Sequence, residues 1–542
     1  MRKKFLVTFV LLSIILLGAF LRLHAVSPFK IYPDSYQSLV VTQNILTYHS
    51  VLGYLGPQGM VYPDFFSWTR PVYPLLIILG MFVSNNMTHV AQTIAFLAGL
   101  LALPVAFLLC SLIVPPSKND LRTVIFCGIA GAFLLAASFH HTIWSGFIMT
   151  DTTGIFFLFV FLVSFFWNLP TQHRLRDFLT GIFFAFAVMT RYEYVVLVLP
   201  VTIFLFLQKI PVFSKLFFLF LGFTVVVTIV IVALFPAQSI GAILITQLQD
   251  FLPFFLLSIV FLPILISLTR RFLKRLTQGL FYTVLLLFAV SFLSEGFLGI
   301  RAFILHDFLL ICFFVAGSFL LLKKQTPLLF FVLLAVLTLG ATYYRVNPAM
   351  DRYLTHVIPF FLIPASYAFK EIFLTKKPFL WEKLVRILLI LLILLQICFT
   401  YQGLGYLRDN SWFKIAYEEK AAHDIKKYVP KNTLLITSQP EPYFTVLQRS
   451  TQSITNTYPY VFLDTFPKNQ QIIIVEDMGM HVYFPQFSSF LKKNMQDKKI
   501  AVLWIHKNYH FGDSVYKEKF PLIIYRATIG ELQTKTGQKK DN

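Results

Sequence analysis

The sequence predicts a polytopic α-helical membrane protein with about 13 transmembrane helices and a small C-terminal α/β domain outside the membrane. Of its 542 residues, 57% are hydrophobic and only 13% are charged, and the mean hydropathy is +0.72. Apolar runs of roughly 20 residues, the length that crosses a hydrocarbon core, recur as far as residue 403. Beyond that point the composition becomes that of a globular domain.

Thirteen segments are apolar enough to be predicted as spans. They cover about 5–23, 89–114, 122–140, 150–168, 177–190, 194–208, 215–235, 251–268, 278–294, 302–322, 327–342, 354–373 and 384–403. The segment from Val72 to Val83 is too short to span and is predicted to be a re-entrant or interfacial helix packed on the protein. The first segment, after Arg2-Lys3-Lys4, resembles a signal peptide, but its length favours a retained helix.

The net charge of +21 has a topological explanation. If the N-terminus is cytoplasmic, 20 Lys and Arg residues fall in inner loops and 7 in outer segments of the membrane part. This asymmetry follows the positive-inside rule and predicts a multi-pass protein of the inner or plasma membrane with an extracytoplasmic C-terminal domain. The basic charge is therefore no sign of a nucleic-acid partner. All four cysteines lie in apolar segments, so no disulfide framework is predicted.

Three regions are predicted along the chain. Residues 1–403 form a transmembrane domain with a first extracytoplasmic loop at 24–88. Residues 404–532 form the extracytoplasmic α/β domain, because β-rich runs at 433–437, 471–475, 500–505 and 522–525 alternate with helical stretches at 417–428 and 487–495. Residues 533–542 are polar and predicted to be a disordered tail.

The polar, aromatic loop from Ile31 to Tyr73 holds the first candidate site residues. Asp34 follows the first span by about ten residues and is a candidate general base, provided that partial burial raises the pKa of its carboxyl. The alternative is that Asp34 caps a helix from Ser35 to Thr47, and both roles can coexist.

Asp151 lies at the predicted outer start of the fourth span, where it can pair with Asp34 at one membrane depth or cap its own helix. The neighbouring His140 and His141 point about 100° apart on a helix and rarely share a metal ion. No metal site is predicted there.

Arginine and tyrosine cluster at outer turns, at Arg191-Tyr192-Glu193-Tyr194, Tyr343-Tyr344-Arg345 and Asp351-Arg352-Tyr353. The guanidinium fork matches phosphate oxygens, and tyrosines can bond a head group. The alternative is an interfacial tyrosine belt with arginines that reach lipid phosphates. Three such turns together favour a phosphate site.

These residues resemble the membrane-embedded C-type glycosyltransferases, particularly the branch of the protein O-mannosyltransferases and the lipid A aminoarabinose transferase. The resemblance consists of Asp34 after the first span, Arg70-Pro71-Val72-Tyr73-Pro74, Thr150-Asp151, Thr190-Arg191-Tyr192 and Asp351-Arg352-Tyr353 with Pro359. It covers roughly residues 1 to 370. It departs from the mannosyltransferases at Asp34-Ser35, where they carry Asp-Glu, and at Arg70 and Arg191, which stand where lysine is usual.

The resemblance implies an inverting transfer of a monosaccharide from a polyprenyl-phosphate donor to a lipid, glycan or protein acceptor. Asp34 would be the base and Asp151 an orienting carboxylate. The implied phosphate ligands are Arg70, Arg191, Arg345 and Arg352. The implied substrate-lining residues are Tyr62, Asp64, Tyr73, Tyr192, Glu193, Tyr344 and Tyr353. No cofactor is certain, and the resemblance leaves open whether a divalent cation assists.

Two other classes of function are open on the sequence. A transporter or flippase of lipid-linked sugars would also have many spans, but it predicts ionisable residues near the midplane and inverted repeats with broken helices. A non-catalytic membrane scaffold would use its C-terminal domain to bind partners.

Overall fold

A computed structural model describes most of the membrane part and the core of the C-terminal part. The described residues are 2–25, 33–49, 70–113, 121–169, 173–234, 271–346, 351–374, 380–409, 417–430, 433–437, 451–453, 468–469, 471–477, 480, 485–496, 501–509 and 520–528. The predicted span at 251–268 and the predicted tail at 533–542 lie outside them.

The described chain is mostly helical. The helices before residue 240 are α1 (Arg2–Ala25), α2 (Pro33–Tyr48), α3 (Val72–Met81), α4 (Met87–Ile113), α5 (Leu121–Ala137), α6 (Phe139–Trp144), α7 (Thr150–Asn168), α8 (Arg174–Thr190), α9 (Val198–Leu207) and α10 (Val212–Leu234). Those after it are α11 (Arg271–Ser291), α12 (Leu298–His306), α13 (Phe308–Lys324), α14 (Thr326–Val346), α15 (Ile358–Leu374), α16 (Leu380–Asp409), α17 (Tyr417–Ile425) and α18 (Pro485–Gln496). Short 3-10 turns at Tyr192–Leu197 and Asp351–Val357 precede α9 and α15.

These helices confirm the predicted fold class. Each predicted span within the described residues coincides with helical structure, and the short segment after Pro71 forms α3. Seven described helices are long and apolar enough to cross a membrane, or eight if the bent pair of α12 and α13 is one span. The count of thirteen stays a prediction, as does the orientation of the termini.

Small residues let the membrane helices approach closely. A Cβ atom added at Gly181 in α8 would overlap the Leu219 carbonyl of α10, and one at Gly222 would overlap the Phe178 carbonyl of α8. Within lipid, helix association depends on such backbone contact because lipid tails are as apolar as the helix surfaces. The two glycines therefore fix the pairing of α8 with α10.

The break between α12 and α13 lies at a buried aspartate. The two helices meet at 92° around Asp307, which is 1% exposed. Its carboxylate accepts hydrogen bonds from the Phe139 amide at 2.8 Å and the His140 amide at 3.3 Å, and it pairs with His140 Nδ1 at 2.6 Å. The bend thus places a carboxylate at the start of α6, which carries residues near the site described below.

The C-terminal part contains the predicted sheet. Its strands are β1 (Leu434–Thr437), β2 (Thr451–Ser453), β3 (Gln471–Glu476), β4 (Ala501–Tyr509) and β5 (Phe520–Thr528), in the spatial order β2-β1-β3-β5-β4. The first three strands are parallel, and β5 is antiparallel to both β3 and β4. Ile472 and Ile474 pack on one face with Phe487 of α18, while Ile473 packs on the other face with Ala421 of α17. Both faces are covered, which explains the near-continuous apolar strands.

The chain divides into two compact units. One consists of Met1–Val26 and Arg70–Tyr406, and the other of Ser27–Thr69 and Leu407–Asn542. Helix α2 and the sheet belong to the second unit. The site described next lies wholly within the first, and the predicted domain boundaries stay a prediction.

Candidate active site

Asp151 is the centre of a buried charged cluster in the first unit, which consists of Met1–Val26 and Arg70–Tyr406. It lies in the first turn of α7, which begins after the extended residue Met149, and its side chain is 1% exposed. Its Oδ1 atom accepts a hydrogen bond from Arg191 Nη2 and lies 3.0 Å from His356 Nε2 and 4.0 Å from Arg352 Nε. A carboxylate held by two guanidinium groups is a weak base, so this geometry suits an orienting role.

Arg191 enters the cluster because α8 ends at Thr190. The backbone of Arg191 is extended, with φ −149° and ψ 101°, and the 3-10 turn from Tyr192 follows. One turn along α7 from Asp151, a Cβ atom at Gly154 would lie 2.9 Å from Arg191 Cγ. The glycine therefore leaves the space that the buried arginine occupies.

Arg70 and Glu193 extend the cluster away from Asp151. Arg70 Nη2 lies 3.4 Å from Glu193 Oε1, Arg70 Nη1 donates to Thr150 Oγ1 at 3.2 Å, and Arg191 Nη1 lies 3.6 Å from the same Glu193 oxygen. Burial acts to raise the pKa of the Glu193 carboxyl, but Arg191 and Arg70 outweigh it and hold that pKa below its usual value. The two guanidinium groups thus stabilise the charged form of this carboxylate.

The backbone at Arg70 is strained. Its φ of 39° is rare for a residue other than glycine, and the following Pro71 further disfavours a compact conformation. Such a conformation costs about 1–3 kcal/mol and persists where surrounding contacts fix it. Here the ion pair with Glu193 and the bond to Thr150 provide those contacts.

Arg352 lies on the turn before α15 among aromatic rings. Its guanidinium carbon is 4.7 Å from the centre of the Tyr353 ring and 5.8 Å from that of Trp144. Its Nη2 donates to the Tyr353 hydroxyl at 3.0 Å. The side chain is 3% exposed, so these aromatic faces take the place of water around the charge.

His356 links the acidic and aromatic parts of the cluster. Its Nδ1 lies 2.6 Å from the Tyr194 hydroxyl, and its ring stacks on Tyr343 with centres 4.9 Å apart. Its Nε2 lies 3.0 Å from Asp151 Oδ1, to which an Nε2–H would donate, and 3.1 Å from Arg191 Nη2, which would donate to an unprotonated Nε2. Both ring nitrogens therefore have polar partners, Tyr194 at Nδ1 and the Asp151–Arg191 pair at Nε2.

The cluster has an excess of positive charge. Among the described side chains, three guanidinium groups, on Arg70, Arg191 and Arg352, face two carboxylates, on Asp151 and Glu193, which leaves one net positive charge. Within the described chain, several of its polar atoms are buried without a hydrogen-bond partner; these include Arg191 Nε and Nη1, Arg70 Nε, Glu193 Oε2 and the Tyr343 hydroxyl. Buried groups of this kind are normally bonded, so the cluster has capacity for an anionic ligand.

An apolar cavity of about 360 Å³ adjoins the cluster. Tyr343 and Tyr353, whose rings stack at 5.3 Å, line it at one side. Aliphatic and phenyl side chains from α11, α12, α14 and α15 form the rest, among them Val284, Phe303 and Phe361. The two tyrosines therefore belong both to the charged cluster and to an apolar cavity between helices.

The structure brings together six of the predicted site residues, and the others fall elsewhere. The six are Asp151, Arg70, Arg191, Arg352, Glu193 and Tyr353. Tyr192 lies half-buried in the turn before α9, and Tyr73 is buried with its hydroxyl bonded to the Ala91 carbonyl at 2.8 Å, which anchors α3 on α4.

Five predicted site residues have side chains outside the described part. Asp34 lies in the first turn of α2, which confirms a helix at that position, but it belongs to the other compact unit, so its pairing with Asp151 stays a prediction. Tyr344 and Arg345 lie in the last turn of α14. Tyr62 and Asp64 fall in the segment 50–69, which the structure does not describe.

Sequence reasoning missed His356, Tyr194 and Trp144 as members of the cluster. A signal for His356 was present, because a 3-10 turn repeats every three residues and places His356 on the same face as Tyr353. Trp144 carried no such signal. Its position depends on the short helix α6, which packs beside the turn that holds Arg352.

No metal arrangement is found within the described residues. No group of three or more His, Cys, Asp or Glu side chains there is placed to hold an ion. The part played by a divalent cation stays open.

Solved structures share this fold, although no protein-family profile and no curated protein sequence matches the chain. An oligosaccharyltransferase from Archaeoglobus fulgidus, solved with a tethered acceptor peptide containing the NVT sequon, superposes with a TM-score of 0.53 at 14% identity. The match covers 87% of this chain and 69% of that one.

ArnT from Cupriavidus metallidurans matches over nearly its whole length. Its structure bound to undecaprenyl phosphate gives a TM-score of 0.54 at 12% identity and covers 96% of this chain and 97% of ArnT. Its apo structure gives 0.53, with 98% and 99% covered. At these identities the likeness establishes the fold.

Proposed function

On the premise that the chain has the fold of the membrane C-type glycosyltransferases, to which both solved relatives belong, we propose that it is a glycosyltransferase. It moves a monosaccharide from a polyprenyl-phosphate donor to a lipid, glycan or protein acceptor at the outer face of the membrane, with inversion. The observation that carries this proposal is the junction of the charged cluster with the apolar cavity at Tyr343 and Tyr353. A lipid phosphate needs a charged site for its phosphate and an apolar cavity for its hydrocarbon chain.

The positive cluster attracts the leaving group more strongly than the donor. A sugar linked to a lipid phosphate is a phosphodiester with one negative charge, whereas the released lipid phosphate monoester carries nearly two near neutral pH. Free N–H groups on Arg191 and Arg70 would bond the oxygen on which the second charge develops. Interactions that strengthen as the bond breaks accelerate the reaction, whereas equal binding throughout does not.

The remaining roles follow from inversion in a single displacement. The acceptor hydroxyl or amine attacks the anomeric carbon, the bond from that carbon to the phosphate oxygen breaks, and the acceptor proton passes to a base. Asp34 is the proposed base, and Asp151 holds Arg191 and Arg352 in place. In support, ArnT binds undecaprenyl phosphate in a solved structure of the same fold.

Mass spectrometry of surface lipids, glycans and proteins, with and without the protein, tests the activity and identifies the acceptor. We expect one component to lose the mass of a single monosaccharide in the deletion strain and to regain it with the wild-type gene. Complementation by Asp34→Asn should fail. Full restoration by Asp34→Asn would remove Asp34 as the base, and an unchanged surface in the deletion strain would contradict the proposal.

The cavity itself can be tested by filling it. Gly340 of α14 lines the cavity, and a Cβ atom added there meets nothing within 4 Å. We expect Gly340→Phe to raise the KM for the donor more than tenfold, because the ring would occupy space meant for the isoprenoid chain. Gly279 of α11 is equally unobstructed but exposed and outside the cavity, so Gly279→Phe is the matched control.

One observation favours the alternative, a transporter or flippase of lipid-linked sugars. The helix break at Asp307 puts an ionisable side chain at an interrupted span, as transport proteins often do. A flippase would move labelled donor across a vesicle membrane without consuming it. Donor movement in the absence of acceptor, with no release of polyprenyl phosphate when acceptor is added, would favour this alternative.

A further inference from the structure

A second cavity, of about 820 Å³, lies at the opposite end of the same helix bundle. Its wall includes Trp167 in the last turn of α7, whereas Asp151 lies in the first turn of that helix. Sixteen residues at 1.5 Å rise per residue separate them by about 24 Å, nearly the thickness of a hydrocarbon core. The positive-inside pattern predicts this end to be cytoplasmic.

The lining of this cavity has an apolar part and a polar part. Ile113, Phe204 and Leu328 form an apolar wall, and polar residues, Gln208, Lys209, Lys324 and Gln325, are at the ends of the surrounding helices. Trp167 adds an indole of the kind that concentrates at membrane interfaces. The combination matches a molecule with a charged head and an apolar tail.

Lys209 occupies a position that its own backbone disfavours. Its φ is 57°, and the amides of Lys209 and Ile210 close the end of α9 by bonding the carbonyls of Phe206 and Leu205 at 3.1 and 3.2 Å. This is the helix ending in which glycine is usual, because a side chain is strained in the left-handed conformation. Within the described residues the Lys209 ammonium has no ion-pair partner. The backbone therefore gives no reason for a lysine at this position.

Lys324 is held in a defined position at the same cavity. Its ammonium donates to Glu371 Oε1 at 3.0 Å and lies 5.5 Å from the centre of the Tyr367 ring. Lys370 also pairs with Glu371, at 3.5 Å. The lining of the cavity itself includes two lysines, Lys209 and Lys324, and among the described residues that form it there is no Asp or Glu.

We propose that this cavity binds an anionic phospholipid of the phosphatidylglycerol class. Its phosphate contacts Lys209 and Lys324, and its acyl chains lie along Ile113, Phe204 and Leu328. Basic pockets between membrane helices at the cytoplasmic side have the chemistry that selects such headgroups. The apolar wall favours a lipid over a soluble phosphate, because the acyl chains cover surface that a free anion would leave bare.

Native mass spectrometry of the full chain in mixed micelles tests this site. With phosphatidylglycerol and phosphatidylcholine in equal amounts, we expect the wild type to retain one phosphatidylglycerol selectively. Lys209→Gly and Lys324→Gln should each weaken that retention about fivefold, from the ~1 kcal/mol that a lysine contributes near an anionic lipid surface. Lys323 is exposed beside Lys324 but does not line the cavity, so Lys323→Gln is the matched control and should bind like the wild type.

A thermal melt separates binding from folding. Without lipid, Lys209→Gly should melt at or above the wild-type temperature, because glycine suits the left-handed position. It should lose the stabilisation that phosphatidylglycerol gives the wild type. Equal retention of both lipids, equal loss in Lys323→Gln, or full competition by soluble glycerol phosphate would overturn the proposal.

Discussion

Helices α7 and α8 carry buried ion pairs at both ends, and the two ends differ in how fully their polar groups are bonded. At one end Lys215 of α10 pairs with Asp177 at 3.2 Å and donates to the Asn168 carbonyl at 2.5 Å. The Asn168 amide in turn donates to Thr180 Oγ1 at 3.0 Å. At the other end, three guanidinium groups surround two carboxylates, those of Asp151 and Glu193.

The difference separates a structural ion pair from a candidate active site. At the Lys215 end there is one charge of each sign, and among the described residues none of its side-chain polar atoms is buried without a partner. At the Asp151 end, positive charge is in excess among the side chains that the structure describes, and Arg191 and Tyr343 have buried polar atoms with no hydrogen-bond partner among them. Unpaired buried polar groups lower the stability of a protein. The cluster at Asp151 must therefore be stabilised by the packing around it or by a bound ligand.

The largest effect is expected at the structural end. Lys215→Met leaves the Asp177 carboxylate buried without its cation, which should cost about 3–5 kcal/mol in the free energy of unfolding. Thermal or denaturant unfolding of the purified protein measures this loss. The KM and kcat for sugar transfer by the folded fraction should be unchanged.

A double variant provides the control for that loss. Lys215→Met combined with Asp177→Leu removes both charges, and it should recover most of the stability because no unpaired charge remains. If the double variant were as unstable as Lys215→Met alone, loss of packing rather than an orphaned carboxylate would be the cause.

The second-largest effect, a loss of activity, is expected at the Asp151 end. Arg352→Gln should lower the rate of transfer about 10²- to 10³-fold, or about 3–4 kcal/mol of transition-state stabilisation. It should change stability less than Lys215→Met does, because Asp151 keeps Arg191 and His356 as partners. Unimpaired transfer by Arg352→Gln would remove the phosphate-binding role of this arginine.

The sequence predicted the charged residues of the cluster better than their neutral partners. Arg191, Arg352 and Asp151 stand out in apolar surroundings, so charge alone identifies them. His356 and Trp144 depend on tertiary placement, through the phase of a 3-10 turn and the docking of α6.

Helix positions were also predictable from local composition. Hydropathy identifies an apolar segment, and each predicted span in the described chain is helical. Hydropathy does not reveal that a segment bends by 92° at Asp307, or that Gly181 and Gly222 let two backbones come into contact. Those features depend on partners that are distant in sequence.

A third prediction concerns the helix pair that connects the two ends. Gly181→Ala places a methyl group against the Leu219 backbone and should destabilise the protein by about 1–3 kcal/mol, because the helices must separate. Gly279→Ala, where a Cβ meets nothing within 4 Å, is the control and should not destabilise it. Equal melting temperatures for the two variants would show that the close approach of α8 and α10 is not required.

The smallest effect is expected at His356, which positions Asp151 without contacting the lipid phosphate in our account. His356→Gln keeps one hydrogen-bond donor but loses the bridge to Tyr194, and it should lower kcat about tenfold with little change in the donor KM. Steady-state kinetics separate the two parameters. A large rise in KM with kcat unchanged would instead place His356 at the donor itself.

In the proposed reaction, the excess of guanidinium groups around Asp151 binds a lipid phosphate. The direct measurement is the affinity of the purified full chain for undecaprenyl phosphate, compared among the wild type, Arg352→Gln and Lys215→Met. We predict that Arg352→Gln weakens binding at least tenfold, while folded Lys215→Met binds like the wild type. Equal affinity in all three proteins, or a loss confined to Lys215→Met, would show that the guanidinium groups around Asp151 do not bind the lipid phosphate.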